Sequence, residues 1–244
     1  MEQTQTPTWR EKTVVEILGP DGTPFEYNPA QVDPMNFFDL AEADYGEGFK
    51  RPTASQLVPL VRSAAHPDNR DKENPRKLLG RWLAGNTLIL LGKKGFYGVD
   101  FPNVRGQRIY MGEKTLQGRL GKREDNGVVS SDDGLVRFTH YGFKTGDMDS
   151  GELAVNRGIA VAYKGFANTE LLAQASSHYR LEPCFSCVSK APEKPEIKVP
   201  GVCASGALSS GLDVSCYGGP GLYWYAFGVR DVSASAEART AAKK

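Results

Sequence analysis

Turn-forming residues divide this chain of 244 residues into short segments. It holds 27 glycines and 15 prolines, and aromatic residues make up 10% of the sequence. Glycine and proline interrupt regular elements, whereas aromatic residues favour strands. We therefore expect short strands joined by many turns rather than a helical bundle, in one body large enough to bury a core.

The charge balance excludes long-range electrostatic attraction as a basis for function. Thirty Lys and Arg residues nearly cancel 29 Asp and Glu residues. Nucleic acid and membranes are therefore not expected as partners, and any ligand must be recognised by local contacts. Residues 1–13 lack the apolar centre of a signal peptide, and no later run is long enough to cross a bilayer. The expected location by default is the cytoplasm.

Apolar spacing and turn signals predict the elements of the chain. In the N-terminal half they predict a hairpin over 13–27, a loop over 28–52, a helix over 54–64 capped by Thr53, a linker over 66–74, a helix from Pro75 to Gly85 and a hairpin over 87–100. Beyond it they predict an irregular stretch over 101–136, strands over 135–140 and 159–163, a helix capped by Asn168 or Thr169 that ends near Tyr179, and strands and turns after a link over 191–200. We divide the chain into an N-terminal extension (1–70), a ligand-binding domain (71–232) and a disordered tail (233–244).

Most catalytic and ligand motifs fail on spacing. The segment 142–146 (Gly-Phe-Lys-Thr-Gly) lacks the length of a phosphate-binding loop, and 147–152 supplies only the first two ligands of a calcium loop, so a turn and a short helix are expected there. The three histidines, His66, His140 and His178, share no ligand spacing. No Gly-x-Ser-x-Gly elbow presents a nucleophile. These absences favour a binding protein over an enzyme.

The four cysteines leave two alternatives open. They are too few for a disulfide-built scaffold in a chain of this length, so we interpret them as thiols. Cys184 and Cys187 form a Cys-x-x-Cys pair, which could hold zinc together with Cys203 and Cys216, or act as a redox pair. A zinc-stabilised structural module therefore remains possible.

The segment 199–236 differs from the rest of the chain because it contains no Lys, Glu, Gln or Met. Within it, Leu212 and Val214 should point inward, whereas Asp213 and Ser215 should face solvent. The following stretch, 216–224, reads as a Gly-rich loop with exposed aromatic residues, and 226–230 reads as a core strand. Tyrosine, tryptophan, serine and glycine are favoured in recognition surfaces, because rigid rings give contact area while small residues adapt.

Three stretches of the sequence resemble a known family. They are 136–146, the helix that precedes Tyr179-Arg180 and Pro183, and the end of the chain from Ser205 to Arg230. Together they are similar to the variable target proteins of diversity-generating retroelements, particularly those of candidate-phylum bacteria. The resemblance covers roughly residues 75–230 and implies an α+β fold of C-type lectin type with short strands, two or three helices and long loops.

The resemblance also implies how the ligand-binding surface arises. An associated reverse transcriptase would rewrite the C-terminal coding region at adenines, over a variable region of about 204–225. Residue types that such changes permit occupy Ser209, Ser210, Asp213, Ser215, Cys216, Tyr217, Gly219, Leu222 and Tyr223. Trp224 is not a permitted type and would be encoded by the template or reached from another codon, but we include it in the binding surface. Tyr225 shares strand parity with Phe227 and Val229 and is left out.

The expected function is therefore non-catalytic recognition of a macromolecular ligand, in the first place a protein, without a cofactor or a metal. Leu208, Leu212, Val214, Phe227 and Val229 would hold the backbone beneath the variable side chains. The alternative is an enzyme on a lectin-like scaffold of the formylglycine-generating type, with Cys184 and Cys187 as catalytic residues.

Overall fold

The computed structural model describes residues 8–10, 14–20, 22–65, 80–101, 112–121, 123–179, 182–205 and 211–232. Helices and strands alternate irregularly along these ranges, which makes the fold a mixed α+β arrangement. The helices are α1 (Asp39–Glu42), α2 (Ala54–Ala65), α3 (Glu113–Arg119), α4 (Ser150–Ala154), α5 (Arg157–Ala162) and α6 (Phe166–Tyr179). The strands are β1 (Thr8–Arg10), β2 (Val14–Leu18), β3 (Pro24–Met35), β4 (Leu83–Ala84), β5 (Thr87–Leu91), β6 (Phe96–Asp100), β7 (Arg123–Asp125), β8 (Val128–Ser130), β9 (Val136–Thr139), β10 (Gly146–Asp147), β11 (Glu182–Ser186), β12 (Glu196–Lys198), β13 (Gly201–Ser205), β14 (Gly211–Ser215) and β15 (Trp224–Asp231).

The strands form two sheets. One has nine strands in the order β1-β2-β3-β15-β4-β13-β14-β11-β10, and the other has six in the order β12-β5-β6-β9-β8-β7. Pairing is antiparallel except between β11 and β14 and between β15 and β4. Because β15 pairs with β3, the two ends of the described chain meet in the same sheet. Strands β14 and β15 are consecutive in the chain, yet β13 and β4 lie between them.

Several predicted elements are confirmed. The hairpins β2–β3 and β5–β6 pair in antiparallel register. Helix α2 begins after Thr53, whose hydroxyl accepts a hydrogen bond from the Gln56 backbone N–H at 3.3 Å, while the Gln56 side chain accepts one from the Thr53 N–H at 2.9 Å. This reciprocal capping box satisfies two N–H groups that helix geometry leaves without partners. The expected turn and short helix near 147–152 is α4, which Asp149 caps.

The predicted loop over 28–52 is wrong where β3 and α1 occupy it. Strand β3 continues to Met35 because β15 pairs with it from Phe25 to Met35. The register shifts twice, between the pairs Phe227–Gln31 and Gly228–Asn28 and between the pairs Trp224–Met35 and Ala226–Val32. Of the three prolines of β3, the first begins the strand, and those at positions 29 and 34 fall in these irregularities, where a missing N–H costs no ladder hydrogen bond.

Four further predictions are corrected. The stretch predicted to be irregular contains α3, β7 and β8, and strand β4 occupies part of the predicted helix from Pro75 to Gly85. Residues 66–79, which hold the linker and the first part of that helix, lie outside the described residues, as does the tail over 233–244. Residues 157–162 form α5 instead of a strand. All of α5 after its first residue is buried, so its apolar run mimics a buried strand in sequence. Helix α6 begins at Phe166, before the predicted caps.

Two apolar clusters hold the elements together. The larger joins α2, α5 and α6 to the nine-stranded sheet and includes Leu57, Leu172 and Phe227. The smaller joins α1 and the six-stranded sheet to β15 and includes Leu40 and Trp224. Strands β2 and β3 and helix α2 belong to the predicted extension but share these sheets and clusters, and the domain boundaries stay a prediction.

A buried ion pair links neighbouring strands β6 and β9 of the six-stranded sheet. The Arg137 guanidinium donates to both carboxylate oxygens of Asp100 at 2.8 and 3.0 Å, and both side chains are almost fully buried. Arg137 also donates to the carbonyl oxygens of Val161 and Gly134. Asp100 accepts from the Thr87 hydroxyl, so every charged oxygen of the pair has a partner. Such satisfaction makes a buried charge tolerable.

Candidate functional site

The segment that connects β14 to β15, residues 216–223, is the candidate site, and we call it the display loop. Three of its side chains are exposed: Tyr217 by 56%, Leu222 by 57% and Tyr223 by 73%. The expectation of exposed aromatic residues is confirmed for these two tyrosines. Large apolar side chains left in solvent beside one another mark a surface that can gain from contact.

Main-chain hydrogen bonds from outside the loop hold its backbone. They run from Val199 N to Gly218 O (2.7 Å), from Phe37 N to Pro220 O (2.9 Å) and from Cys216 N to Ser186 O (2.8 Å). A turn within the loop adds a bond from Leu222 N to Gly219 O at 3.1 Å. None of these four bonds uses a side chain. The path of the loop therefore does not require particular side chains at its exposed positions.

Trp224 is part of the frame and not of the surface. Its side chain is only 4% exposed, so the expectation that it is an exposed aromatic is wrong. A Cβ atom added to Gly218 would lie 2.1 Å from the Trp224 ring, and one added to Gly201 would lie 2.6 Å from it. The ring therefore occupies the space between these two glycines. Its indole N–H donates to the carbonyl oxygen of Gly219 at 3.4 Å.

The glycines of the loop differ in whether they leave room for a side chain. A Cβ atom on Gly219 or on Gly221 would meet nothing within 4 Å, in contrast to the clash at Gly218. The φ angle of Gly219 is not positive, so residues with a side chain can also adopt its backbone conformation. The loop therefore accepts a side chain at Gly219 and refuses one at Gly218.

Strand β14 bears out part of the predicted alternation. Leu212 and Val214 are buried as expected, and Asp213 is half-buried on the opposite face. The expectation that Ser215 faces solvent is wrong, because it is only 8% exposed and its hydroxyl accepts from the Tyr217 backbone N–H at 3.2 Å. Cys216 is 1% exposed within the larger cluster, so its expected place on the surface is also wrong. Ser209, Ser210 and Leu208 lie outside the described residues.

The burial predicted for the strand that follows the loop, β15, is confirmed. Phe227 and Val229 are buried in the larger cluster. Tyr225 is half-buried, and the Arg81 guanidinium carbon lies 4.7 Å from the centre of its ring. The carbonyl oxygen of Trp82 accepts a hydrogen bond from the Tyr225 backbone N–H at 3.0 Å. The Trp82 side chain is 36% exposed. The sequence carried no signal for this placement, which arises from the pairing of β4 with β15.

The cysteines do not form a nucleophilic pair. Cys184 lies in β11 and is half-buried, with its sulfur 3.8 Å from the Ser186 hydroxyl, whereas Cys187 is buried in the larger cluster. Burial raises the pKa of the Cys184 thiol. A cysteine that acts as a catalyst at neutral pH needs the opposite shift, because the thiolate is the reactive form. This geometry disfavours the alternative of catalysis by Cys184 and Cys187.

The cysteines do not gather around a metal position either. Within the described ranges, which include all four cysteines, no three His, Cys, Asp or Glu side chains are placed to hold a metal ion. Burial and, to a smaller extent, the nearby Asp213 carboxylate together raise the pKa of Cys203 to about 11. Thiolate ligands are therefore not prepared in advance for zinc.

A cleft of about 520 Å³ lies on another part of the surface. Its lining includes Ser131, Asp132, Lys164 and Phe166, and no cysteine or display-loop residue contributes to it.

In the part of the chain that the structure describes, no helix has the length and apolar character that crossing a membrane requires.

Comparison with known proteins identifies the fold. No protein-family model matches the chain, and no curated protein matches it either. This chain is similar, with a TM-score of 0.54, to a solved structure that was reported for the accommodation of massive sequence variation in Nanoarchaeota by the C-type lectin fold. The two are 14% identical, and the match covers 82% of this chain and 97% of the other. At that identity the likeness concerns the fold alone, and the chain therefore has a C-type lectin fold.

Proposed function

We propose that this chain is a non-catalytic ligand-binding protein whose display loop and adjoining positions are diversified by a retroelement through adenine-directed mutagenesis. Its ligands are macromolecules, in the first place proteins. The observation that carries the proposal is the main-chain anchoring of the loop at Gly218 and Pro220 by Val199 and Phe37. A backbone held in this way keeps its path while its side chains change.

The exposed residues are suited to contact with a protein surface. Tyr217 and Tyr223 are rigid rings with a polar end, and Leu222 adds apolar area between them in the sequence. Tyrosine loses little conformational entropy on binding and contributes strongly where an interface excludes water. The nearly neutral chain supplies no general attraction, so such local contacts must supply the affinity.

The structure refines which positions we propose as variable. Tyr217, Gly219, Leu222 and Tyr223 form the centre of the surface, because each has room for other side chains. Half-buried Asp213 adjoins it on β14, and Ser209 and Ser210 remain proposed members. Ser215, Cys216 and Trp224 are packed into the frame, so we expect only conservative changes there.

The structural neighbour supports the proposal by analogy. That protein's fold is described as accommodating massive sequence variation. A fold does not determine a function, and lectin-like scaffolds host several. The analogy gains weight because the display loop of this chain has the physical property that such accommodation requires.

The gene provides the first test. Variation that begins at adenines of Asn-type codons predicts codons ending in C or T at the nine permitted positions and a near-identical template copy beside the gene. Codons ending in A or G at most of these positions would contradict diversification by a retroelement, although not recognition itself.

A surface-display experiment tests recognition directly. One library varies Tyr217, Gly219, Leu222 and Tyr223, and a matched library varies the frame residues Cys216, Gly218 and Trp224. Both are selected against the same globular protein of known structure, and folding is followed by resistance to protease. The first library should stay folded and yield binders, whereas the second should lose folded protein. Equal folding in the two libraries, or no binders from the first, would contradict the proposal.

A further inference from the structure

The display loop begins beside a second cysteine. Strands β11 and β14 are parallel, and their register places Ser186 opposite Ser215. The residue that follows each strand is a cysteine, Cys187 after β11 and Cys216 after β14. The hydrogen bond from Cys216 N to Ser186 O, at 2.8 Å, continues the ladder to this point.

The two thiols face the same interior. Both cysteines belong to the larger apolar cluster, where Cys187 is 5% exposed and Cys216 is 1% exposed. Burial raises the pKa of Cys216 well above its ordinary value, and the neighbouring Cys187 thiol adds to this shift. Both are present as free thiols in the structure.

We propose that Cys187 and Cys216 are a site of reversible oxidation, at which a disulfide bond joins β11 to the root of the display loop. Neighbouring strands lie about 4.8 Å apart. That spacing falls within the Cα separation of about 4.4–6.8 Å that a disulfide bridges. The main-chain hydrogen bond at this point and the shared apolar cluster hold the two residues as neighbours.

A low-molecular-weight disulfide such as oxidised glutathione is the oxidant. Cys187, the more exposed of the two, loses its proton and attacks one sulfur of the oxidant, which releases one glutathione thiolate and leaves a mixed disulfide. Cys216 then loses its proton and attacks the Cys187 sulfur, which releases the second glutathione. Two S–H bonds are broken, one S–S bond forms within the protein, and the two electrons reduce one oxidised glutathione to two molecules of the thiol.

The other two cysteines are too far apart to compete. Asp213 of β14 pairs with Cys184 of β11 on one side and with Cys203 of β13 on the other. Cys184 and Cys203 are thus two strand spacings apart, about 9.6 Å, beyond the reach of a disulfide without backbone movement. They serve as internal controls.

The bond would close a loop of about 30 residues. In the chain-entropy model, such a closure raises the melting temperature of a chain of this size by up to about 10 °C. Oxidation should also slow hydrogen exchange at the backbone amides of the display loop, because its first residue becomes fixed to β11. This inference does not depend on the proposed ligand-binding function.

The test is incubation of the folded chain with oxidised glutathione, followed by alkylation of free thiols and mass spectrometry. Tryptic cleavage leaves Cys184 and Cys187 in one peptide and Cys203 and Cys216 in another, so variants must assign the pair. The Cys184→Ser/Cys203→Ser variant should lose both remaining thiols, gain the higher melting temperature and recover both thiols with a reductant. The Cys187→Ala and Cys216→Ala variants should form no intramolecular bond.

Retention of both thiols in the Cys184→Ser/Cys203→Ser variant, or glutathione adducts alone, would overturn the proposal. If that variant does not fold, fragmentation of the linked peptides from the unaltered protein assigns the bond. A link from Cys184 or to Cys203 in those peptides would likewise overturn it.

Discussion

Replacing Trp224 and its neighbour Tyr223 by alanine, one at a time, tests the division between frame and surface. Tyr223 is 73% exposed, so about a quarter of its side chain is covered. For a ring that offers ~200 Å², this is ~50 Å², or about 1 kcal/mol at ~25 cal/mol per Å². Trp224 is 4% exposed, and its ring fills the space between Gly201 and Gly218. Its removal leaves a cavity, and comparable Trp→Ala changes cost about 3–5 kcal/mol.

Urea unfolding followed by far-ultraviolet circular dichroism measures both free energies of unfolding. We expect Tyr223→Ala to lower the free energy of unfolding by about 1 kcal/mol or less and Trp224→Ala to lower it by about 3–5 kcal/mol. Dichroism is preferred to fluorescence because one change removes a tryptophan. A conservative control, Trp224→Phe, should lie between them. Equal costs for the two alanine variants would refute the assignment of these neighbours to different roles.

Two further predictions concern the core and its response to alkali. Asp100→Ala leaves the Arg137 guanidinium buried without its carboxylate and should lower the free energy of unfolding by about 3–5 kcal/mol in the same urea assay; a cost below about 1 kcal/mol would contradict this. Burial raises the pKa of Tyr45 to about 12, against an opposing effect of Arg51, and also raises that of Tyr27. Unfolded tyrosine ionises near pH 10, so above that pH the folded chain binds more protons than the unfolded chain. The free energy of unfolding should therefore be at its full value below pH ~10 and fall towards pH ~12. Urea unfolding at a series of pH values, with tyrosinate absorbance followed in parallel, would contradict this if the free energy of unfolding rose over that range.

Local patterns explain why much of the fold could be predicted from the sequence. The capping box of Thr53 and Gln56 lies within four residues, and the hairpin of β5 and β6 is marked by two apolar runs around a glycine turn. The alternation of β14 likewise placed Leu212 and Val214 correctly. Each of these signals depends on residues that are close in the chain, where steric and hydrogen-bonding preferences act directly.

The errors arise where a distant strand decides the structure. Pro29 favours loop by its own chemistry, and only the pairing of β15 with β3 explains a strand there. The burial of Trp224 depends on Gly201, which precedes it by more than twenty residues. Tryptophan is suited both to an exposed interface and to a core, so composition could not decide between these roles.

The interleaving of fixed and free positions in the display loop follows from a single ring. Trp224 lies against Gly218 and accepts no Cβ atom there, while its indole N–H reaches the Gly219 carbonyl oxygen and leaves the Cα of Gly219 open. The ring thus holds the loop through its backbone and one glycine, and uses none of the exposed side chains. Because the remaining anchors are main-chain groups and the buried Ser215 hydroxyl, the free energy that orders the loop is almost independent of the residues displayed at 217, 222 and 223. A surface can change its ligand without losing its fold only when ordering and recognition are separated in this way.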